Sequence, residues 1–153
     1  MTSGICVESG TDDLQRSQPQ RNVAGRVDFP NSITVPVNGF PENMAETKRL
    51  CLLKAQHGKR VSTFVADVSI EDQVLAFAEA VTRDLDTHHI HLLFNNAGIG
   101  TLGGSFVDGN RAEWDKTFNV CWYGVYYCTR AFLPLLRKGD EGHIVNTSSV
   151  NGF

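Results

Sequence analysis

The stretch His91-Leu92-Leu93-Phe94-Asn95-Asn96-Ala97-Gly98-Ile99-Gly100 sets the interpretation of the whole chain. Its first part is mostly apolar and ends abruptly in polar and small residues, which is typical of a strand buried on both faces of a parallel sheet. Ligands of open parallel sheets bind beyond the carboxyl ends of the strands. The two asparagine amides would lie at that edge, beside a backbone that the small Ala97 and Gly98 leave accessible. A simple turn after a core strand is the competing interpretation, and spacing alone does not decide between them.

Composition limits the class of protein. The chain has 153 residues, 41% of them hydrophobic, and a formal net charge of −3. These values suit one globular domain and disfavour a nucleic-acid-binding protein, because no dense basic cluster occurs. No apolar run reaches the ~18 residues that would span a bilayer, and no basic segment followed by an apolar stretch marks a signal peptide. We therefore expect no membrane segment and a cytoplasmic location.

Cysteine and histidine patterns do not predict a metal centre. The four cysteines form no Cys-x-x-Cys pair, so neither a disulfide framework nor a zinc site is expected. His88, His89 and His91 have no carboxylate or cysteine companion at a suitable spacing. We interpret them as solvated surface residues.

Two further strand-like segments end in polar residues. Residues 60–66 alternate in hydropathy and lead into Asp67-Val68, and the segment Gly142–Ser149 changes from apolar to polar. A carboxylate at a strand end can accept a hydrogen bond from a donor on a ligand, although Asp67 as a simple turn residue stays an alternative. Helices are expected from Pro41 to about His57, after Ser69, and from Asn110 through Phe132, where Pro134 would kink or end the last one near Leu133.

Together, these polar strand ends resemble the short-chain dehydrogenase/reductase family, and the resemblance runs from about Pro41 to Phe153. It implies an α/β fold, here an incomplete Rossmann-type doubly wound parallel sheet flanked by helices, over residues 32–153. It also implies NAD or NADP as cofactor, with hydride transfer to or from a carbonyl or secondary alcohol of a small molecule. Because family members are longer, we interpret the chain as a fragment.

The resemblance also assigns roles to individual residues. It implies that Asp67 holds the adenine amino group and that Val68 lies along the adenine ring. Asn96, Ala97 and Gly98 would line the cofactor. The second serine of the pair Ser148-Ser149 would be catalytic and would bond the substrate oxygen. These roles come from the family pattern and not from composition or spacing.

The chain departs from the family pattern in three places. The glycine-rich phosphate turn is absent, since Leu14 and Arg16 occupy its next glycine positions, and residues 1–31 are expected to be poorly patterned or disordered. Cys121 stands where the family has a catalytic asparagine, and a thiol donates and accepts only weakly. No Tyr-x-x-x-Lys pair follows Ser149. The alternative hypothesis is therefore a catalytically inactive fragment that binds or dimerises through the 111–133 helix.

Overall fold

A computed structural model describes residues 3–8, 32–37, 41–54, 60–100 and 107–149. Strands and helices alternate along much of the chain, as expected for an α/β protein. The elements are β1 (Ser3–Glu8), β2 (Ser32–Val37), α1 (Pro41–Lys54), β3 (Val61–Ser62), α2 (Glu71–Leu85), β4 (Leu92–Asn95), α3 (Arg111–Phe118), a π-helical segment (Asn119–Tyr123), α4 (Gly124–Leu136) and β5 (His143–Asn146).

The strands form one sheet in the order β3-β2-β1-β4-β5. This order matches the first five strands of the doubly wound dinucleotide-binding fold. β2 pairs with β3 in parallel, and β4 pairs with β5 in parallel. β1 pairs antiparallel with both β2 and β4. The expected α/β class is therefore confirmed, and within the sheet β1 is the strand that runs antiparallel to its neighbours.

β1 also changes the expected extent of the domain. Residues 1–31 were expected to lie outside the folded sheet, yet Ser3–Glu8 is hydrogen-bonded on both sides within it. Strand pairing uses backbone groups that every residue carries, so a segment without a strong hydrophobic pattern can still complete a sheet. Residues 9–31 lie outside the described residues, and so does the expected position of the glycine-rich turn.

The core lies between the sheet and the helices α2 and α4. Phe77 of α2 and Phe132 of α4 meet edge to face with ring centroids 5.1 Å apart. This geometry is favoured between aromatic rings. The buried apolar residues around them are Ala66, Val68, Val74, Val81, Leu85, Ile90, Leu93, Val120, Cys128, Leu135 and Leu136. This packing fixes the positions at which β3 and β4 end.

The long helical region differs in detail from the expected single helix. Asn110 caps its start as predicted, since its side-chain oxygen accepts a hydrogen bond from Ala112 N at 2.9 Å. The middle turn is π-helical, a form often found at functional sites. Pro134 does not end the helix near Leu133, because Arg137 N still donates to Leu133 O at 3.0 Å. α4 therefore continues to Leu136.

Gly124 lets α4 approach the chain after β3 closely. A Cβ added at this position would lie 2.7 Å from Val68 Cγ2. Gly124→Val is therefore expected to lower the free energy of unfolding by about 1–3 kcal/mol through overpacking. Gly100→Val is the matched control, because a Cβ at Gly100 meets nothing within 4 Å. Urea unfolding of both variants tests this, and equal stabilities would show that the close approach is wrong.

Candidate functional site

The carboxyl ends of β4 and β5 lie side by side. Asn95 is paired in register with Asn146, each the last residue of its strand. The pairing continues for one residue, since Thr147 N donates to Asn95 O at 3.0 Å. Polar side chains that follow two different strands therefore meet at one edge of the sheet, as the sequence predicts.

The Asn95 side chain connects this edge of the sheet to α4 through hydrogen bonds. Its side chain is 3% exposed, and Nδ2 donates to Asn146 Oδ1 at 2.8 Å and to Thr129 Oγ1 at 3.2 Å. Its Oδ1 has no hydrogen-bond partner among the described residues, and Asn95 lines a small crevice between β4 and α4. Asn95 is thus a structural residue that joins β4, β5 and α4. The partners Thr129 and Asn146 were not identified from the sequence.

Cys128 lines the same crevice. Burial raises the pKa of the Cys128 thiol to about 12, because the charged thiolate would be desolvated. The thiol therefore stays protonated at neutral pH and packs as a small apolar group.

The next residues are more accessible. Asn96 is exposed, and its Oδ1 accepts a hydrogen bond from Thr147 Oγ1 at 2.7 Å. Ala97 and Gly98 are half-buried and carry little side chain. The backbone of this loop is therefore accessible at the end of β4. The cofactor role that the resemblance implies for these three residues stays a prediction.

Asp67 lies five residues beyond the end of β3 and is held in a local turn. Its Oδ1 accepts from Ser69 N at 2.9 Å and from Ser69 Oγ at 2.7 Å. Its backbone N–H donates to Gln73 Oε1 at 2.8 Å. Both serine groups bond the same carboxylate oxygen, so these contacts fix the orientation of the Asp67 side chain without using Oδ2.

The side chain of Val68 is buried in the core. Its side chain is 1% exposed and packs towards Gly124. It therefore anchors the turn to α4 and does not present a side-chain surface to a planar ring. Only the backbone of Val68 remains for a contact along such a ring.

Cys121 faces the loop after β4. Its Sγ donates to Ile99 O at 3.4 Å, and a Cβ added at Gly98 would lie 3.9 Å from the same sulfur. Asn119 lies elsewhere, in a groove beside Phe118 and Tyr123. The π-helical turn therefore directs the thiol to the candidate site and the asparagine away from it.

Ser149 follows β5 by three residues and is exposed, as is Ser148. The backbone oxygen of Ser149 accepts a bond from Ser148 Oγ at 3.5 Å. Because β4 and β5 are parallel neighbours, both serines leave the sheet at the edge where Asn96 and Gly98 lie. The candidate site thus contains the loop after β4, the Cys121 thiol and the hydroxyls of Ser148 and Ser149.

The outer face of α3 carries a second concave surface. A groove of about 740 Å³ is lined by Gly109, Arg111, Trp114, Asp115, Phe118, Asn119 and Tyr123. Arg111 and Asp115 pair across its rim at 2.8 Å. This groove lies on a different helix face from Cys121.

These features define an α/β protein with a polar site beyond its parallel strands, and comparisons with known proteins identify its class. The model of the short chain dehydrogenase family matches residues 37–153. The chain belongs to the short-chain dehydrogenase/reductase family.

Three relatives show how far the similarity extends. Human estradiol 17-beta-dehydrogenase 11 is 31% identical over 115 residues, which are 75% of this chain and 35% of that enzyme. A Burkholderia phymatum short chain dehydrogenase/reductase solved with NAD is 36% identical, with a TM-score of 0.63 over 73% of this chain and 38% of that one. A metagenomic short-chain oxidoreductase solved with NADP is 30% identical, with a TM-score of 0.65 over 76% of this chain and 50% of that one. The chain thus spans about a third to a half of these relatives.

The described residues fit a nicotinamide dinucleotide only in part. Asp67 offers an acceptor beyond β3, and the loop of Asn96 to Gly98 offers accessible backbone beyond β4. The pyrophosphate of such a ligand normally lies at the turn after a parallel β1. Here β1 runs antiparallel to both of its neighbours, and residues 9–31, which follow it, lie outside the described residues.

Among the described residues, no group of three or more histidine, cysteine or acidic side chains has the arrangement of a metal site. Within the same ranges, each helix is too short or too polar to cross a membrane.

Proposed function

We propose that this chain contributes to an oxidoreductase that transfers a hydride between NAD or NADP and a carbonyl or secondary alcohol. One observation carries the proposal. Within the family-matched region, Asp67, the loop of Asn96 to Gly98, and Ser149 all follow the carboxyl ends of parallel strands. Family membership supports the reaction class, and the complexes of two relatives with NAD and NADP support the cofactor.

Each residue has a chemical task in this proposal. The Asp67 carboxylate accepts a hydrogen bond from the adenine amino group, while Ser69 holds the carboxylate in place. The accessible backbone of Ala97 and Gly98 lets the ribose side of the cofactor approach. The Ser149 hydroxyl donates to the substrate oxygen. The bound nicotinamide would supply or accept the hydride.

A chimera tests the reaction class directly. Residues 60–149 of this chain would replace the matching segment of human estradiol 17-beta-dehydrogenase 11, which keeps its own remaining segments. We expect the chimera to turn over the host's substrate with the host's cofactor, at a reduced rate. A folded chimera that binds the cofactor but has no turnover would contradict the proposal. The purified chain alone is expected to show no turnover, because it has neither the glycine-rich turn nor the Tyr-x-x-x-Lys pair.

Cys121→Asn is expected to raise kcat in the same chimera. An amide can donate and accept at once, whereas the thiol does both weakly. One positioned hydrogen bond to a charged group contributes about 1.5–3 kcal/mol, which is roughly ten- to a hundredfold in rate. Steady-state kinetics should show this gain with little change in KM. Asn119→Ala is the control, and a larger loss of kcat from that change would show that the register of the π-helical segment is wrong.

A second candidate is a binding or dimerisation module without catalysis. The exposed aromatic side chains of the 111–133 helix favour this candidate. They are Trp114, Phe118, Trp122, Tyr123 and Tyr126. Contiguous exposed apolar surface often marks an interaction site. We propose self-association through this helix.

Replacing one exposed aromatic residue tests that association. Trp122 is 67% exposed. The Trp122→Glu variant is expected to lose most of its self-association, because the introduced charge would be desolvated in an apolar interface. Analytical ultracentrifugation measures the change, and Leu75→Glu on the exposed side of α2 is the control. A monomeric wild-type chain at all concentrations would contradict the proposal. The cytoplasmic location stays a prediction.

A further inference from the structure

The chain segments that follow β4 and β5 are joined by one residue, Thr147. Its backbone N–H donates to Asn95 O at 3.0 Å, which extends the pairing of the two strands by one residue. Its side-chain Oγ1 donates to Asn96 Oδ1 at 2.7 Å, across 51 positions of the sequence. Thr147 therefore contacts two successive residues where the loop after β4 begins, and it lies two residues before Ser149.

The far end of the same loop is held by a different element. Cys121 Sγ in the π-helical segment donates to Ile99 O at 3.4 Å. A thiol is a weak donor, whereas the Thr147 hydroxyl bonds Asn96 at the short distance of 2.7 Å. The stronger of these two side-chain contacts is therefore the one from Thr147, at the end of the loop that adjoins β5.

The contact between Thr147 and Asn96 fixes an orientation more than it stabilises the fold. Both side chains are exposed, and such a hydrogen bond adds little to the free energy of folding because water competes for it. The β-branched Thr147 side chain has few rotamers, and the bond to Oδ1 determines which way the Asn96 amide faces. Losing this bond should therefore loosen the loop without unfolding the protein.

We propose that Thr147 is a positioning residue, which holds the loop Asn96–Gly98 in a fixed place relative to Ser149. The inference rests on the proposed function, because it takes this loop as the place where the dinucleotide approaches. A ligand lying on the loop would exclude water from the bond between Thr147 and Asn96 and so strengthen it. Ligand binding at the loop and ordering of the segment that carries Ser149 are then coupled through Thr147, and this coupling is reciprocal.

Three variants of the full chain separate this role from a general loss of structure. Thr147→Val keeps the shape of the side chain and removes the hydroxyl, whereas Thr147→Ser keeps the hydroxyl. Thr117→Val is the matched control, because it removes a threonine hydroxyl that donates to Glu113 O at 3.0 Å within α3, outside the site. All three variants should unfold at nearly the same urea concentration as the parent chain.

The readouts are heteronuclear NMR relaxation without ligand and NMR titration with NAD⁺. We expect Thr147→Val to increase fast backbone motion at Asn96–Gly98 and at Ser148–Ser149. It should also weaken NAD⁺ binding roughly two- to tenfold, the effect of one net hydrogen bond. The shift changes that NAD⁺ causes at Ser149 in the parent chain should be lost. Thr147→Ser and Thr117→Val should behave like the parent chain.

Three results would overturn the inference, and they differ in what they mean for the proposed function. If NAD⁺ shifts the loop of the parent chain but Thr147→Val leaves the response at Ser149 unchanged, Thr147 is not a positioning residue, and the proposed function stands. The same conclusion follows if Thr117→Val has an equal effect. If NAD⁺ shifts neither segment of the parent chain, the loop is not the cofactor side, and the inference and the proposed function are both wrong.

Discussion

Replacing Ser149 by alanine in the chimera with the human enzyme is expected to lower kcat/KM by about 10²–10³-fold. Removing one positioned donor from an oxygen that gains charge in the transition state typically has an effect of this size. Ser149 leaves the sheet beside the loop after β4, where the reacting oxygen is expected. KM should change much less than kcat, because the bond strengthens as charge develops on the oxygen.

Ser148→Ala is the matched control for this prediction. Ser148 is the adjacent residue and is also exposed, and its Oγ donates to the backbone oxygen of Ser149 at the long distance of 3.5 Å. Its loss should change kcat less than threefold. If Ser148→Ala abolishes turnover and Ser149→Ala does not, the assignment after β5 is shifted by one residue.

The second large effect is expected from Phe132→Ala, at about 3–5 kcal/mol of unfolding free energy. The Phe132 ring is 0% exposed and meets Phe77 edge to face, and Phe77 in turn stacks on Phe64 at 5.7 Å. Its removal would leave a cavity where α2, α4 and the sheet meet. The variant should unfold at a much lower urea concentration than the parent chain.

Phe118→Ala provides the comparison on the same helical region. Phe118 is 49% exposed and stacks on Trp114 at the surface. Surface substitutions of this kind usually change stability by about 0.5 kcal/mol or less. Equal losses of stability in the two variants would show that Phe132 is not the centre of the core.

The parallel strand β4 and its polar end could be predicted because both depend on local pattern. A short apolar run followed by Asn95 and Asn96 predicts a strand and its end from a few neighbouring residues. The structure places this strand at Leu92–Asn95. Asn110 as a helix cap is a local signal of the same kind. The family pattern placed Cys121 at the position of the family's catalytic asparagine, and the structure shows its Sγ bonded to Ile99 O in the loop after β4.

The direction of β1 could not be predicted in this way. Strand pairing depends on which distant backbone groups are left without partners, and side chains carry little information about it. The sequence pattern indicated no ordered strand within residues 1–31, yet Ser3–Glu8 pairs with both β2 and β4.

The roles of Val68 and Asn95 depend on packing that sequence does not show. Val68 was expected along a ligand ring, but α4 approaches so closely at Gly124 that the side chain is buried. Asn95 could be assigned to a polar edge, but its partner Thr129 lies 34 residues away on α4. Such contacts follow from the crossing of elements in space and have no signature in residue spacing.

Backbone amide shifts during an adenosine titration test most directly whether the carboxyl ends of β3 and β4 form the binding site. We predict saturable shifts at Asp67–Ser69 and Asn96–Gly98, which lie beyond those two strand ends. The control region is His88–Ile90, which precedes β4 at the opposite edge of the sheet and should not respond. Shifts confined to residues 88–90, or a titration that leaves both predicted segments unchanged, would contradict the assignment of the site.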